Sequence, residues 1–157
     1  MLSVLVQAIL KNFAEETIAG IKSRIPNVTG KSAESLGYRI EGTDLIIFST
    51  QKYFTTLETG RGPTVNSTAG NPTLQQSIEQ WIKDKPLNLN GISAKSLSYI
   101  ISRKIHEKGT LLFRNGGKSG VISKSINDQV IKEKLTDVLT DKFRDYVINE
   151  FVRKLLD

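Results

Sequence analysis

The chain has no cysteine, and its 157 residues include one histidine and one methionine. Without cysteine there are no disulfides, no cysteine-ligated zinc or iron–sulfur cluster and no thiol nucleophile. The single histidine, His106, also excludes a metal site built from several histidines. No apolar run approaches the roughly 18 residues of a membrane span, and the apolar start lacks the basic residues of a signal peptide. We therefore expect a soluble protein that is made in a cytoplasm and has no membrane partner.

Positive charge is in excess and is concentrated in one part of the chain. The 22 Lys and Arg residues outnumber the 16 Asp and Glu residues, which gives a net charge of +6. Residues 1–78 have a net charge of +1, and residues 79–157 have a net charge of +5. Such a stretch suits phosphate contacts, although a solvated surface that maintains solubility is the other interpretation. The segment from residue 103 to residue 124 has one acidic residue, Glu107, and six basic ones: Arg103, Lys104, Lys108, Arg114, Lys118 and Lys124.

The spacing of apolar residues predicts several helices. Leu, Ile and Phe side chains recur mostly every three or four residues over 2–25 and over 127–156, which predicts an amino-terminal helix and a long carboxy-terminal helix. Between them, Thr73 or Asn71 is the predicted cap of a third helix, and Ser93 is the predicted cap of a fourth.

Two short runs of strand-forming residues are separated by a glycine-containing turn. Residues 38–41 and 45–48 flank Gly42-Thr43-Asp44, which predicts a β-hairpin. Residues 53–57 are predicted to form a further extended or mixed segment. Residues 110–125 are predicted to form a basic, glycine-rich loop or a short strand.

These elements together predict an α+β fold. It has an N-terminal helix, a small antiparallel β-hairpin sheet packed by helices, and a long C-terminal helix. We expect residues 1–125 to form the core domain. Residues 126–157 would form a C-terminal helix that packs on this core or on a neighbouring subunit.

The motifs that carry chemistry in other proteins are incomplete in this chain. The triplets Gly30-Lys31-Ser32 and Gly117-Lys118-Ser119 resemble the end of a phosphate-binding loop, but Ile25 and Leu112 stand where that loop needs its first glycine. His106 has no second histidine and no metal-binding partner in its helix, so a helix-surface position is the expected one. No carboxylates show the spacing of an acid–base pair or a two-metal site. We therefore expect no enzyme activity, no catalytic residue, no metal and no cofactor.

Three segments follow one another in an order that is typical of one protein family. They are residues 53–63 (YFTTLETGRGP) after the predicted hairpin, residues 78–85 (IEQWIKDK) and residues 100–110 (IISRKIHEKGT). In this order they resemble the tail-completion or neck proteins of tailed bacteriophages, which are head–tail connectors. The resemblance covers roughly residues 1–125.

The resemblance implies a structural virion protein without catalysis. Such proteins form a homo-oligomeric ring, here of six or twelve copies, at the portal–tail junction through which phage DNA passes. The implied partners are portal, adaptor or tail proteins and the passing double-stranded DNA, which would be contacted through its backbone. The implied location is the neck or tail of the virion, after synthesis in the host cytoplasm.

The resemblance also assigns roles to individual residues. It places Tyr53, Glu58 and Gly60 at a strand end and loop used in packing, and Arg61 follows them in this subunit-contact loop. It makes Trp81 and Ile105 core positions, and a core anchor is also the expected role of Trp81 from its residue type.

Two questions stay open at this point. The basic stretch from Arg103 to Lys124, repeated around a ring, would face either DNA or an acidic protein surface. The alternative to a ring subunit is a small basic protein that binds DNA without sequence specificity.

Overall fold

The computed structural model has the predicted α+β fold. An amino-terminal helix, a two-stranded antiparallel sheet and a long carboxy-terminal helix occur in the predicted order. The sequence also predicts a polar loop over residues 64–72 and a linker over residues 87–92, and both lie partly outside the described residues. The structure describes four segments of the chain: residues 2–26, 30–65, 70–85 and 90–156.

The predicted helices and the hairpin are confirmed with small shifts of their ends. A π-helical segment, Lys132–Thr136, interrupts the carboxy-terminal helix. In the described residues the elements are α1 Leu2–Arg24, α2 Lys31–Glu34, β1 Leu36–Glu41, β2 Asp44–Ser49, α3 Thr56–Thr59, α4 Leu74–Asp84, α5 Ala94–Lys108, α6 Leu111–Arg114, α7 Asp128–Ile131 and α8 Asp137–Leu156.

The chain divides into two compact units, and neither is continuous in sequence. The hairpin unit consists of Met1–Arg24, Ser35–Thr50 and Ile122–Asp157. The central unit consists of Ile25–Glu34 and Gln51–Val121. The predicted role of residues 126–157, packing on the core or on a neighbouring subunit, stays a prediction.

Helix α1 is the centre of the hairpin unit, because it contacts both strands, the π-helical segment and α8. Its buried residues recur every three or four positions, as an amphipathic helix requires. Lys134 Nζ lies 2.8 Å from Glu16 Oε2 and joins the π-helical segment to α1. The buried side chains of α1 are Leu10, Phe13, Ala14, Thr17, Ile18 and Ile21.

The β-hairpin is closed by a two-residue turn. Glu41 pairs with Asp44, so Asp44 belongs to the second strand and the turn is shorter by one residue than predicted. The hairpin is bonded to α1, since Tyr38 Oη donates to Glu15 Oε1 at 3.1 Å. Burial, and then the neighbouring Glu15 carboxylate, raise the pKa of Tyr38 above its ordinary value.

The segment Tyr53–Leu57 consists of turns that lead into α3 at Thr56, so the extended form of that prediction is wrong. The N–H groups of Thr56 and Leu57 donate to the carbonyls of Tyr53 and Phe54, which are three residues earlier. Thr56 Oγ1 also donates to the Tyr53 carbonyl at 2.6 Å. These local bonds coil the chain and bury Phe54, of which 8% is exposed. Burial of one aromatic side chain on a helical turn therefore outweighs the strand propensity of the threonines.

The segment 110–125 contains the short helix α6 and turns, and no strand occurs in this described stretch. The alternative of a short strand is therefore wrong, and the loop interpretation fits apart from α6.

Across the residues that the structure describes, none of the helices combines the length and apolar character needed to cross a membrane.

Replacing Ile21 with alanine tests the packing of the hairpin unit. Only 1% of Ile21 is exposed, and we expect Ile21→Ala to lower the free energy of unfolding by about 2–5 kcal/mol, because a core cavity loses both transfer energy and contacts. Val4→Ala is the control on the same helix, since Val4 is 68% exposed. Urea denaturation followed by circular dichroism measures both variants, and equal losses would contradict the assignment of the buried face.

Candidate nucleic-acid interface

The net positive charge of the protein belongs to the central unit. The hairpin unit contains eleven Lys and Arg and eleven Asp and Glu residues, so its net charge is zero. The central unit contains eleven basic and five acidic residues, so its net charge is +6. A count that divides the chain at residue 78 misses this separation, because the central unit extends on both sides of that residue.

Helix α5, with 15 residues, is the longest helix among the described residues of the central unit. It begins after Ser93, whose side chain accepts a hydrogen bond from Ser96 N, and it packs on α4. Ser98 and Ser102 are its buried residues. Their hydroxyls donate to the carbonyls three residues earlier, at 2.8 and 3.0 Å, so the buried polar groups are satisfied within the helix. The predicted start of this helix at Ser93 is confirmed.

The other side of α5 is exposed and mostly basic. Lys95, Tyr99 and Arg103 recur every four residues and therefore share one side of the helix. Among the described residues, no carboxylate lies within ion-pair distance of Lys95, Arg103 or Lys104. Lys108 Nζ lies 4.0 Å from the carboxylate of Glu107, the acidic residue of this helix.

The end of α5 is joined to the segment that follows α3. Thr64 N donates to the His106 carbonyl at 3.0 Å, and Thr64 Oγ1 lies 2.6 Å from His106 Nδ1. Arg61 Nη2 donates to the same Thr64 hydroxyl at 3.4 Å. His106 is exposed, which confirms its predicted helix-surface position. The guanidinium of Arg61 therefore lies near the carboxyl end of the basic helix.

Two backbone segments of the central unit are hydrogen-bonded side by side. Thr110 N donates to the Arg61 carbonyl at 2.8 Å, and Arg61 N donates to Thr110 Oγ1 at 3.0 Å. A Cβ on Gly60 would lie 2.5 Å from Phe113 N, so only glycine allows this approach. The subunit-contact loop predicted from sequence thus packs against residues 109–113 of its own chain.

Glu58 fixes the loop that follows α6. Its carbonyl accepts a hydrogen bond from Ser119 N at 3.0 Å. Its carboxylate accepts from Gly120 N at 3.1 Å and from Ser119 Oγ at 3.3 Å. These are the kinds of donor that would hold a phosphate in a phosphate-binding loop. The triplet Gly117-Lys118-Ser119 is therefore part of a closed intramolecular contact, in agreement with its exclusion as a nucleotide-binding motif.

The six predicted basic residues do not all belong to one unit. Arg103, Lys104 and Lys108 are on α5, and Arg114 and Lys118 follow within the same central unit, all exposed. Lys124 is also exposed but belongs to the hairpin unit.

The four residues of the predicted subunit-contact loop differ in their surroundings. Tyr53 is 61% exposed and is available for contact, whereas Glu58, Gly60 and Arg61 make the intramolecular bonds and close contacts described above. Contact of this loop with another subunit stays a prediction.

Trp81 is not a core residue, so that prediction is wrong. It is 41% exposed, while the adjacent Ile82 is the buried residue of α4. Neighbouring helical residues point about 100° apart, so an inward Ile82 turns Trp81 towards solvent. Lys85 Nζ lies 4.1 Å from the centroid of the indole ring and covers it in a cation–π contact. Ile105, the second predicted core position, is half-buried.

Sequence analysis missed Lys95 and Tyr99 as members of the basic surface. A count of charges begins this surface at Arg103, whereas the helix extends it two turns earlier. The signal was present in the predicted Ser93 cap, because a helix starting there places positions 95, 99 and 103 on one side.

Within the described part of the chain, no group of three or more acidic, histidine or cysteine side chains could hold a metal ion.

Substitution of the adjacent glycines Gly116 and Gly117 tests the contact between residues 58–60 and the loop that follows α6. Gly117 has φ +61°, and a Cβ there would lie 2.6 Å from the Thr59 carbonyl oxygen; Gly116 has φ +93° and open space around it. We expect Gly116→Ala to cost about 1–2 kcal/mol of backbone strain. Gly117→Ala should cost clearly more, because the clash adds to a similar strain. Equal free energies of unfolding in urea would contradict the packing of this loop on Thr59.

No family model matches this chain, and no curated protein or solved structure matches it either. The resemblance of three sequence segments to phage neck proteins therefore stays a prediction.

Proposed function

We propose that this chain is a structural virion protein that forms a ring at the portal–tail junction of a tailed bacteriophage, as a head–tail connector, neck or tail-completion protein. The observation that carries the proposal is the unequal distribution of net charge between the two units. The central unit has the entire net charge of +6, while the hairpin unit has none. One unit thus suits a polyanion, and the other suits protein contacts.

The charge of the central unit fits a channel for DNA. A ring repeats the same surface once per subunit, so the positive charge forms a continuous collar. Lys and Arg side chains contact phosphates without reading the base sequence, which is what a passing genome requires. The exposed side chains of Arg114 and Lys118 add to the basic helix α5 in this role.

The hairpin unit fits assembly because α8 exposes many large apolar side chains. Phe151 is 64% exposed and Phe143 is 54% exposed, and both lie on the side of the helix that also exposes Val147. Contiguous exposed apolar surface on a soluble protein marks an interaction site. Ring closure needs such surfaces, because each subunit contacts two neighbours.

The order of the sequence motifs supports the same proposal. Residues 53–63, 78–85 and 100–110 occur in the order typical of phage neck proteins. The corresponding neighbours are portal, adaptor or tail proteins, and the working location is the neck or tail of the virion. The proposed role involves no catalysis and no cofactor.

A second candidate is a small basic protein that binds DNA without sequence specificity. The absence of carboxylate partners for Lys95, Arg103 and Lys104 among the described residues favours it, because these charges are available to a polyanion even in a monomer. It differs from the ring proposal in requiring no assembly.

Charged substitutions on α8 test the ring. Val147 and Phe151 are 47% and 64% exposed, so Val147→Glu with Phe151→Glu should leave the fold intact. The wild type should form closed rings with an opening wide enough for duplex DNA, visible by negative-stain microscopy. The double variant should need at least about tenfold higher concentration to form them, because a charge in an apolar interface is costly. Sedimentation velocity measures the difference.

The control for this experiment is Val65→Glu, since Val65 is 94% exposed and lies in the central unit. It should assemble like the wild type. A wild-type protein that stays monomeric at every concentration, with and without DNA, would refute the ring. Salt-dependent DNA binding by that monomer would support the second candidate.

A further inference from the structure

We infer that the outer face of α5 is the surface that contacts the nucleic-acid backbone, with the Tyr99 hydroxyl donating to a phosphate between those bound by Lys95 and Arg103. The inference deepens the proposed function, since it rests on DNA as the partner of the central unit. It adds Lys95 and Tyr99 to the basic residues that the sequence indicates.

The placement of these side chains suits a linear polyanion. Positions 95, 99 and 103 are separated by four residues each, which is a rise of about 6 Å per step along a helix. The next row of the same exposed side contains Ile100, Lys104 and Lys108. Three phosphate-binding groups in one line, with two more cations beside them, match a backbone that runs along the helix.

Tyr99 is a large aromatic residue with an exposed side chain on this face of α5. Its side chain is 54% exposed, and among the described residues its hydroxyl has no hydrogen-bond partner. The neighbouring Ile100 is 59% exposed. Solvent exposure of these two large side chains in the middle of a basic helix face is typical of a contact surface.

The chemistry favours phosphate over base recognition. Tyr, Lys and Arg side chains are common donors to phosphate oxygens, and such contacts set position without reading sequence. Base stacking would need unpaired bases, whereas the partner in the proposed function is a duplex. Glu107, the acidic residue of α5, is four residues after Arg103 and therefore continues this row at its carboxyl end. Its carboxylate lies 4.0 Å from Lys108 Nζ, which offsets its charge there, so the phosphate contacts fall on positions 95, 99 and 103.

Salt-dependent binding to a duplex tests this surface. The intact protein is titrated into a fluorescently labelled duplex of about 30 base pairs, and affinity is measured by anisotropy between 50 and 200 mM salt, as the counterion-release relation requires. Lys95→Gln and Arg103→Gln should each reduce the slope of log affinity against log salt by about 1. Tyr99→Phe should weaken binding by at least about tenfold and leave the slope unchanged, because the variant loses a hydrogen bond to a charged phosphate but loses no charge of its own.

Lys83→Gln is the matched control for charge. Lys83 lies in the same unit on α4, and its Nζ is 2.8 Å from the Glu79 carboxylate. It should therefore keep the wild-type slope. Circular dichroism and urea denaturation confirm that each variant remains folded, which is expected because the replaced side chains are exposed.

The outcomes separate this inference from the proposed function. If Arg114→Gln with Lys118→Gln abolishes binding while the α5 variants bind like the wild type, the inference is wrong and the DNA-facing ring is unaffected. If the wild-type protein binds DNA without ever forming rings, and the α5 variants lower its affinity and its salt slope as described, the inference is supported and the ring is refuted. Absence of wild-type DNA binding at 50 mM salt overturns the inference and points to an acidic protein as the partner of this face.

Discussion

The hydrogen bonds of Glu58 hold together the irregular half of the central unit. This residue receives Ser119 N on its carbonyl and Gly120 N on its carboxylate. Little regular structure lies between the end of α5 and residue 120, so the chain there depends on such contacts for a defined conformation. A carboxylate that accepts backbone N–H bonds is well suited to this role, because charge-assisted bonds are stronger than neutral ones. The basic side chains of this loop are thereby presented from a fixed backbone.

The same contact gives a structural reason for two residues of the segment 53–63. Glu58 and Gly60 belong to the segment that resembles phage neck proteins, yet in this chain both have an intramolecular reason to be present. Glu58 binds residues 119–120, and Gly60 admits Phe113 N at a distance that a side chain would block. The motif is therefore evidence for a way of packing two chain segments. The surfaces that the packed unit exposes are the ones available to a partner.

The sequence predicts the structure correctly where the determining interactions are local. The Thr73 capping box and the Ser93 cap fix the starts of two helices within four residues, and the spacing of apolar residues fixes α1. The prediction is wrong where two adjacent residues of a helix compete for one buried position. Ile82 takes the buried position of α4, so the adjacent Trp81 is exposed. Neither residue type alone indicates which of them is buried.

A division of the chain at residue 78 hides the charge separation, because the central unit extends on both sides of that residue. The segment Ser35–Thr50, which interrupts the central unit, has a net charge of −1, so the central unit without it carries +6 and the hairpin unit is neutral. Because of this difference in net charge, the two units of one chain favour different kinds of partner. A neutral unit with exposed apolar residues on α8 favours protein contacts, because no net repulsion opposes the approach of a second copy. The charged unit would repel a second copy at close range, and a bound polyanion removes that repulsion. In the proposed ring, assembly through the hairpin unit and neutralisation of the central unit by DNA would therefore favour one another.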